Sequence, residues 1–336
     1  AESHLHRHHA GEEGNMIHLL ALVLGFCIDL IFGDPHSIPH PVVLIGRLIS
    51  ATEKLVRKIF PKTVRGENVA GGVLWFLVVL ISTAVPLGIL YLGYQISLWL
   101  GLALESIMCW QILATKSLKV ESMKVYTALK AGDPAEYRRA VSMIVGRDTA
   151  ALDDKAVARA AVETVAENTS DGIIAPMLYL AIGGAPLGFF YKAVNTMDSM
   201  LGYVEMPYKN IGLVPAKMDD FFNFLPARLS ALLMLLAGWL EGLDIRRGWR
   251  IWRRDRRNHA SPNSAQTESV CAGLLGLRLA GDAYYHGVLH KKPYIGDPVR
   301  EIEYEDIPRA CRLLYGTAIV SLVLFCGIKL LLLLVI

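Results

Sequence analysis

The stretch Ala161–Tyr179 reads AVETVAENTSDGIIAPMLY and sets Glu163, Glu167, Asn168 and Asp171 directly ahead of residues apolar enough to enter a bilayer. Charged groups beside hydrocarbon are expensive and mark function. Glu163 and Glu167 are four residues apart and share a helix face, and Asp171, four further on, drifts only modestly around the axis. Acids on one face repel one another unless a cation sits between them. Mg²⁺ favours such oxygens, usually shared with substrate phosphates. The pattern therefore points to a Mg²⁺ site, a phosphate-bearing cofactor or an ion path. The same spacing also suits a salt-bridged surface helix, because Lys155, Arg159 and Glu163 follow one another at intervals of four.

These residues need elements to hold them. The chain has 336 residues, 53% hydrophobic and 19% charged, with a formal net charge of +3. That charge content is below the ~25% usual in soluble domains. Six runs approach the ~20 residues that cross hydrocarbon: Met16–Phe32, Val69–Leu92, Ile96–Ala114, Ile173–Val194, Phe224–Leu243 and Leu313–Ile336. The fold class is all-α, a polytopic integral membrane protein of about five to six transmembrane or re-entrant helices with further helices outside the bilayer. The expected organisation is one membrane-embedded catalytic domain, 16–336, with cytoplasmic helical loops 116–172 and 245–312.

Basic residues gather after the first span, between Lys116 and Arg159, and most densely at Arg246–Arg257. The positive-inside rule places these loops in the cytoplasm of a cell whose inner membrane holds the chain. Gly183-Gly184-Ala185-Pro186 interrupts the fourth apolar run and allows a re-entrant turn. Residues 1–15 are polar and His-rich, and we read them as an added leader without fixed structure, with Met16 as the native start. The five cysteines form no CxxC pair, so neither a disulfide framework nor a zinc site is indicated. Gly132-Asp133-Pro134-Ala135-Glu136 is a helix start, with Asp as cap and Pro at the first helical position. Trp249–Arg254 is expected to be an interfacial amphipathic segment with an aromatic anchor. Nothing supports nucleic-acid binding.

Six strings, in order, carry a resemblance: GDPHSIPHPVVLIGRLI (33–49), GRDTAALD (146–153), AAVETVAENTSDGIIAP (160–176), YKAVNTMDSMLGY (191–203), PAKMDDFFNFLPARLSA (215–231) and HASPNSAQTESVCAGLLGLRLAGDAYYHG (259–287). Together they closely resemble the CbiB/CobD family of adenosylcobinamide-phosphate synthases, membrane enzymes of late cobalamin synthesis. The likeness spans essentially all of residues 16–315. Two departures stand out: Ser261-Pro262-Asn263 is followed by Ser264-Ala265 where relatives often have Ala-Gly, and Lys217 stands where an Arg is common. Lysine lacks the bidentate fork of arginine.

The resemblance implies amide-bond formation between a propionate carboxyl of adenosylcobyric acid and an amino-alcohol phosphate (aminopropanol phosphate or threonine phosphate), driven by ATP and Mg²⁺ through an acyl phosphate. The substrate corrinoid carries cobalt. On that reading Glu163, Glu167, Asn168 and Asp171 are catalytic. Metal ligands come from Glu163, Glu167, Asp171, Asp198, Asp219 and Asp220. Arg147, Lys192, Asn195, Lys217, Arg228, Ser261 and Asn263 bind substrate or phosphate. No Walker-type lysine loop accompanies them. His36, His40, His259 and His286 are available as acid–base groups or cobalt ligands, and Phe189, Phe190, Tyr191 and Tyr203 either stack on the corrin or form an aromatic belt. Other corrinoid-pathway enzymes are possible partners. Two rival readings are a membrane transporter of corrinoid or ions, suggested by intramembrane acids and a broken span, and a non-catalytic AmpE-like signalling protein.

Overall fold

The computed structural model describes residues 2–35 and 37–335, with side chains described from residue 14 onward; His36 lies outside the described residues. Their order is α1 (Glu2–Phe32), α2 (Pro41–Ile59), α3 (Val64–Ile96), α4 (Leu98–Ile112), α5 (Thr115–Ala131), α6 (Pro134–Ser142) and α7 (Asp154–Thr169). A π-helical turn (Ser170–Ile174) leads into α8 (Ala175–Leu201), followed by α9 (Leu213–Leu240), α10 (Ile245–Asp255) and α11 (Ser264–Leu275). Four short strands, β1 (Leu279–Ala280), β2 (Ala283–Tyr285), β3 (Val288–His290) and β4 (Tyr294–Ile295), precede α12 (Asp306–Val335).

Among the described residues six helices are long and apolar enough to cross a membrane: Gly14–Phe32, Val64–Ile96, Leu98–Ala131, Asp154–Leu201, Leu213–Leu240 and Asp306–Val335. Each overlaps an expected span. Their outward faces are hydrocarbon, as Leu87, Leu92, Leu331 and Leu334 show by lying more than half exposed. A chain solvated in this way is a multi-pass membrane protein. The helix α1 also takes in residues 2–15, where no fixed structure was expected; Ala10, Glu12 and Glu13 are good helix formers that extend a helix already nucleated by the span.

The chain divides into two compact units. The first comprises 1–114, 176–222 and 322–336, and the second 115–175 and 223–321. The second unit thus gathers both segments expected as helical loops.

Within the first unit α1 packs on α4 and α3 on both α2 and α4. A Cβ at Gly25 would sit 2.4 Å from the Cys109 Cβ, so the absence of a side chain lets α1 and α4 cross closely. The expected interruption of α8 is present: Gly183 (φ −133°, ψ 18°) and Gly184 (φ 68°, ψ −166°) leave helical geometry. Gly184 requires the left-handed region that glycine alone enters readily. The break removes the bond between the Ala185 amide and the Ala181 carbonyl, and side chains replace it. Glu105 Oε1 accepts from the Ala185 amide at 3.3 Å, and Lys329 Nζ donates to the Ala181 carbonyl at 2.7 Å. Glu105 also accepts from Tyr94 Oη at 2.6 Å and pairs with His18 Nδ1 at 2.7 Å.

The second unit is built around α7, which packs against α5, α6, α11 and β1. Val157, Ala158, Ala160, Ala161, Val162, Val165 and Ala166 bury its other faces, and the alanines admit neighbours at short range. Asp153 caps α7 by accepting from the Ala156 amide, and Asp133 caps α6 with Pro134 at the first helical position, as its sequence predicts. The helix α10 crosses α11 where a Cβ on Gly273 would lie 2.7 Å from Gly248 Cα. Its two tryptophans divide: Trp249 is exposed, whereas Trp252 is 7% exposed and donates from Nε1 to Gln266 Oε1 at 2.9 Å. Trp252 is therefore a core residue, a correction to its expected role as a membrane anchor; its indole N–H finds a buried acceptor. The antiparallel pairs β1–β4 and β2–β3 are the sheet content.

Replacing Glu105 tests the clamp on the α8 break. Glu105→Leu strands the Ala185 and Tyr94 donors at about 1–3 kcal/mol each, so thermal unfolding in detergent is expected several degrees lower than wild type, with Glu105→Gln retaining most of the stability. Equal melting temperatures for Glu105→Leu and wild type would contradict the clamp.

Candidate functional site

A cavity of about 130 Å³ in the second unit is lined by Arg147, Glu163, Glu167, His259, Glu268 and Lys292, with Thr164, Asn168, Ala280 and Tyr285 among its other walls. Helix α7 supplies Glu163, Thr164, Glu167 and Asn168 from one face, the i, i+4 placement that the sequence predicts. Arg147 comes from the α6–α7 connection, His259 from the α10–α11 turn, Glu268 from α11 and Lys292 from the segment after β3.

Glu163 is 5% exposed. Its Oε2 pairs with Arg147 Nη2, and its Oε1 accepts from the Ala280 amide at 2.7 Å. Ala280 holds a left-handed φ of 60°. A non-glycine residue takes that conformation only when its surroundings compel it, and such positions cluster at functional sites. Burial opposes the Arg147 charge, but the Glu163 carboxylate more than offsets it and holds the guanidinium above its ordinary value. Glu167 Oε1 accepts from Ser264 Oγ at 2.9 Å. The Asn168 amide donates to the Thr164 carbonyl at 3.0 Å, and Lys292 Nζ donates to Tyr285 Oη at 2.7 Å.

Two groups have altered proton affinity. Glu268 is 5% exposed; burial, then the negative charge of Glu167 and Glu163, pushes its carboxyl well above the ordinary range against Arg147 and Lys292. It therefore keeps its proton to higher pH than an ordinary carboxyl. His259 accepts from the Ser261 amide at Nδ1, 3.0 Å. Burial holds its pKa below the ordinary value, opposed by the Glu167 charge, and Lys292 lowers it further. Its imidazole is thus neutral and basic near pH 7.

The expected residues fall into three groups. Arg147, Glu163, Glu167 and Asn168 share the cavity. Asp171 does not line it. At ~100° per residue, eight residues carry Asp171 about 80° around the axis from Glu163, and it stands near the start of the π-helical turn Ser170–Ile174. Arg228 donates to Asn263 Oδ1 at 3.2 Å and to the Phe224 carbonyl at 2.6 Å, and lies 3.5 Å from the Phe224 ring centroid. Ser261 Oγ accepts from the Asn263 amide at 3.2 Å. Ser261 and Asn263 thus shape the turn that carries His259.

Lys192, Asn195, Asp198, Lys217, Asp219 and Asp220 belong to the first unit. There Asn195 Nδ2 donates to Asp219 Oδ1 at 3.4 Å, and Lys217 is exposed. Among the described residues no three His, Cys, Asp or Glu side chains gather closely enough to hold a metal. Glu163 directs its own oxygens to Arg147 and the Ala280 amide.

The remaining candidates take the following places. His40 caps α2 by accepting from the Val42 amide at 3.2 Å. His286 sits exposed in the β2–β3 turn, where its amide and that of Gly287 donate to the Asp148 carboxylate. Phe189 and Tyr191 are 6% and 0% exposed, and Phe190 packs edge-on against Phe222 at 4.8 Å; these three serve the core. Tyr203 is half exposed beside Tyr208.

Glu268, Tyr285 and Lys292 were not singled out from sequence. A signal existed for Glu268: it is the one charged residue of α11, four after Ser264, where a lone acid in a buried helix must find partners. Lys292 offers none, because only the strand pairing carries it to the cavity.

The signs of the two proton affinities predict opposite pH limits. The raised Glu268 pKa contributes stability that is complete at low pH and is lost as pH rises through the folded value. The lowered His259 pKa contributes stability that is present above the ordinary histidine pKa of about 6.5 and is lost as pH falls below it. Thermal unfolding of Glu268→Gln across about pH 5–9 is expected to show a smaller alkaline loss than wild type. A curve parallel to wild type would mean that Glu268 does not titrate as its surroundings require.

Comparison with known proteins bears on this site. The family model described as CobD/Cbib protein matches residues 22–314, a range that contains every residue of the cavity. A cobalamin biosynthesis protein CobD from Clostridium perfringens is 47% identical over 289 residues, covering 86% of this chain and 91% of that protein. Another from Klebsiella pneumoniae is 47% identical over 311 residues, covering 93% and 97%. A cobalamin biosynthesis protein CbiB from Salmonella arizonae is 46% identical over 307 residues, covering 91% and 96%. No solved structure matches. Nearly half of all positions are shared along almost the full length, and the chain belongs to the CobD/CbiB family.

Proposed function

We propose that this chain acts in cobalamin biosynthesis as an acid–amine ligase, joining a propionate carboxyl of adenosylcobyric acid to the amine of an amino-alcohol phosphate to give adenosylcobinamide phosphate. Relatives named for cobalamin biosynthesis support the pathway. The observation that carries the reaction class is the cavity, where Glu163 and Glu167, a histidine held below its ordinary pKa, a carboxyl held above its own, and the side chains of Arg147 and Lys292 face one small space.

An amine attacks a carboxyl carbon only after losing its ammonium proton. Glu163 and Glu167 supply the negative potential that draws an ammonium in. His259, held neutral, is the group suited to accept the proton. Arg147 and Lys292 offer donors to carboxyl or phosphate oxygens, and the Glu268 hydroxyl offers one more. At about 130 Å³ the space is smaller than the 300–1,000 Å³ typical of sites that enclose whole small molecules. It suits the two reacting ends, with the corrin ring outside.

A carboxylate needs activation before acylation. In this proposal ATP transfers its γ-phosphoryl group to the propionate oxygen and ADP departs. The amine then forms the C–N bond as inorganic phosphate leaves. Magnesium would arrive with the nucleotide phosphates, which need only one or two protein carboxylates beside them to hold it. The positive-inside rule sets the basic loops on the cytoplasmic side of the inner membrane, where ATP is available.

Purified protein incubated with adenosylcobyric acid, aminopropanol phosphate and MgATP is expected to yield the amide by mass spectrometry. Glu163→Gln and Glu167→Gln are each expected to lower the rate about 10²-fold or more while retaining helical circular dichroism. Wild-type rates in both variants would remove the cavity from the reaction. Accumulation of labelled corrinoid inside vesicles without chemical change would favour the carrier reading.

A further inference from the structure

A second cavity, of about 470 Å³, lies in the same unit and is lined by Lys155, Arg159, Arg278, Arg300 and Glu301 over an apolar wall that includes Leu277 and Val299. The two cavities share supports. Helix α7 gives Lys155 and Arg159 to this one and Glu163 and Glu167 to the acidic one, and the chain from Leu277 to Gly281 gives Leu277 and Arg278 to this one and Ala280 and Gly281 to the other. Arg159 precedes Glu163 by one turn of α7, about 6 Å of rise.

The cations of this cavity are unevenly matched. Lys155 pairs with Glu301. Arg300 is fixed by Asp306, with Nη1 donating to Oδ2 at 2.9 Å. Arg159 and Arg278 have no carboxylate within ion-pair reach among the described residues. Arg278 instead lies 4.3 Å from the Tyr294 ring centroid, a cation–π distance that leaves its N–H donors available. Planar guanidiniums match the oxygens of phosphate in bidentate fashion. The apolar wall suits the carbon skeleton of an ester better than a bare ion. The volume falls within the range that encloses a small organic ligand.

We infer that this basic cavity is a binding subsite for a phosphate ester, whose anionic end docks on Arg159 and Arg278 one helical turn from the acidic cavity. The inference deepens the proposed reaction and rests on it only for what the ligand does next. The recognised chemistry, a phosphate monoester or polyphosphate beside an apolar surface, fits two sources: the amino-alcohol phosphate or the nucleotide. A ligand spanning the cavities places its phosphate on the arginines and its reacting end against Glu163.

Isothermal titration of the purified full-length protein in detergent, with aminopropanol phosphate and with MgATP as separate probes, tests the assignment without needing turnover. At least one probe is expected to bind wild type, and the one that binds names the source. Arg159→Glu combined with Arg278→Glu is expected to weaken that binding tenfold or more, and Arg278→Ala, a milder change that spares the fold if the double variant does not, to weaken it severalfold. Glu163→Gln is expected to keep phosphate-probe affinity within about threefold even where turnover is lost, which separates this subsite from the reacting centre. Wild-type affinity in both arginine variants, or no binding of either probe to wild type, would overturn it.

Discussion

Glu163 is a carboxylate with almost no access to water, and the second unit is organised around giving it partners. Its two oxygens are satisfied from two distant places in the chain, the Arg147 guanidinium before α7 and the Ala280 amide at β1. Removing one partner of a buried pair is far more damaging than never having built it, at about 3–5 kcal/mol. The consequence is geometric. The GRD segment must fold back onto α7, and the chain after α11 must reach it through a residue held at positive φ. Asp148, one residue after Arg147, secures the same approach by accepting from the His286 and Gly287 amides of the β2–β3 turn. Once these tethers are made, Glu268, His259 and Lys292 have no place to go but the remaining walls of the cavity.

The same rule operates in the first unit with different consequences. Glu105 is 0% exposed on a helix apolar enough to span a bilayer, and its oxygens answer the donors freed where Gly183 and Gly184 break α8. Lys329 answers the freed carbonyl. Intramembrane acids beside a broken helix are the features that make a transporter reading attractive. Here the donors and acceptors left by the break are matched by these side chains, which accounts for the acid as a means of holding irregular backbone inside hydrocarbon.

The helical spans were legible because bilayer solvation leaves long apolar runs that no loop produces, and the Gly-Gly-Ala-Pro interruption was legible because those residues disfavour continuous helix. The pair Glu163 and Glu167 was legible from i, i+4 spacing alone. Asp171 lies off the cavity wall because two steps of four residues accumulate about 80° of drift around an α-helix, and nothing in SDGII announces the π-helical turn that begins there. Trp252 was misread because an amphipathic segment rich in Arg and Trp looks alike whether its aromatic face meets lipid or a helix such as α11. Lys292 and Tyr285 were illegible for another reason: short strand pairs of two or three residues leave no periodic trace, yet these strands bring the far wall to α7. The resemblance carried by the six strings anticipated family membership, but it did not reveal that the arginine of GRDTAALD and the first glutamate of AAVETVAEN are a bonded pair.

Joining a carboxylate to an amine calls for opposite charges in one place, negative to gather the ammonium and positive to steady the activated carboxyl. Such charges are stable together only when each is partly satisfied by fixed neighbours, as preorganised sites require. A cryo-electron-microscopy structure of the protein soaked with adenosylcobyric acid and aminopropanol phosphate, in the absence of ATP, tests this directly. The account predicts the propionate carboxyl and the amine within hydrogen-bond reach of Arg147, Glu163 or His259. Both substrates bound elsewhere, with this cavity filled by solvent alone in a preparation that turns over when ATP is added, would contradict it.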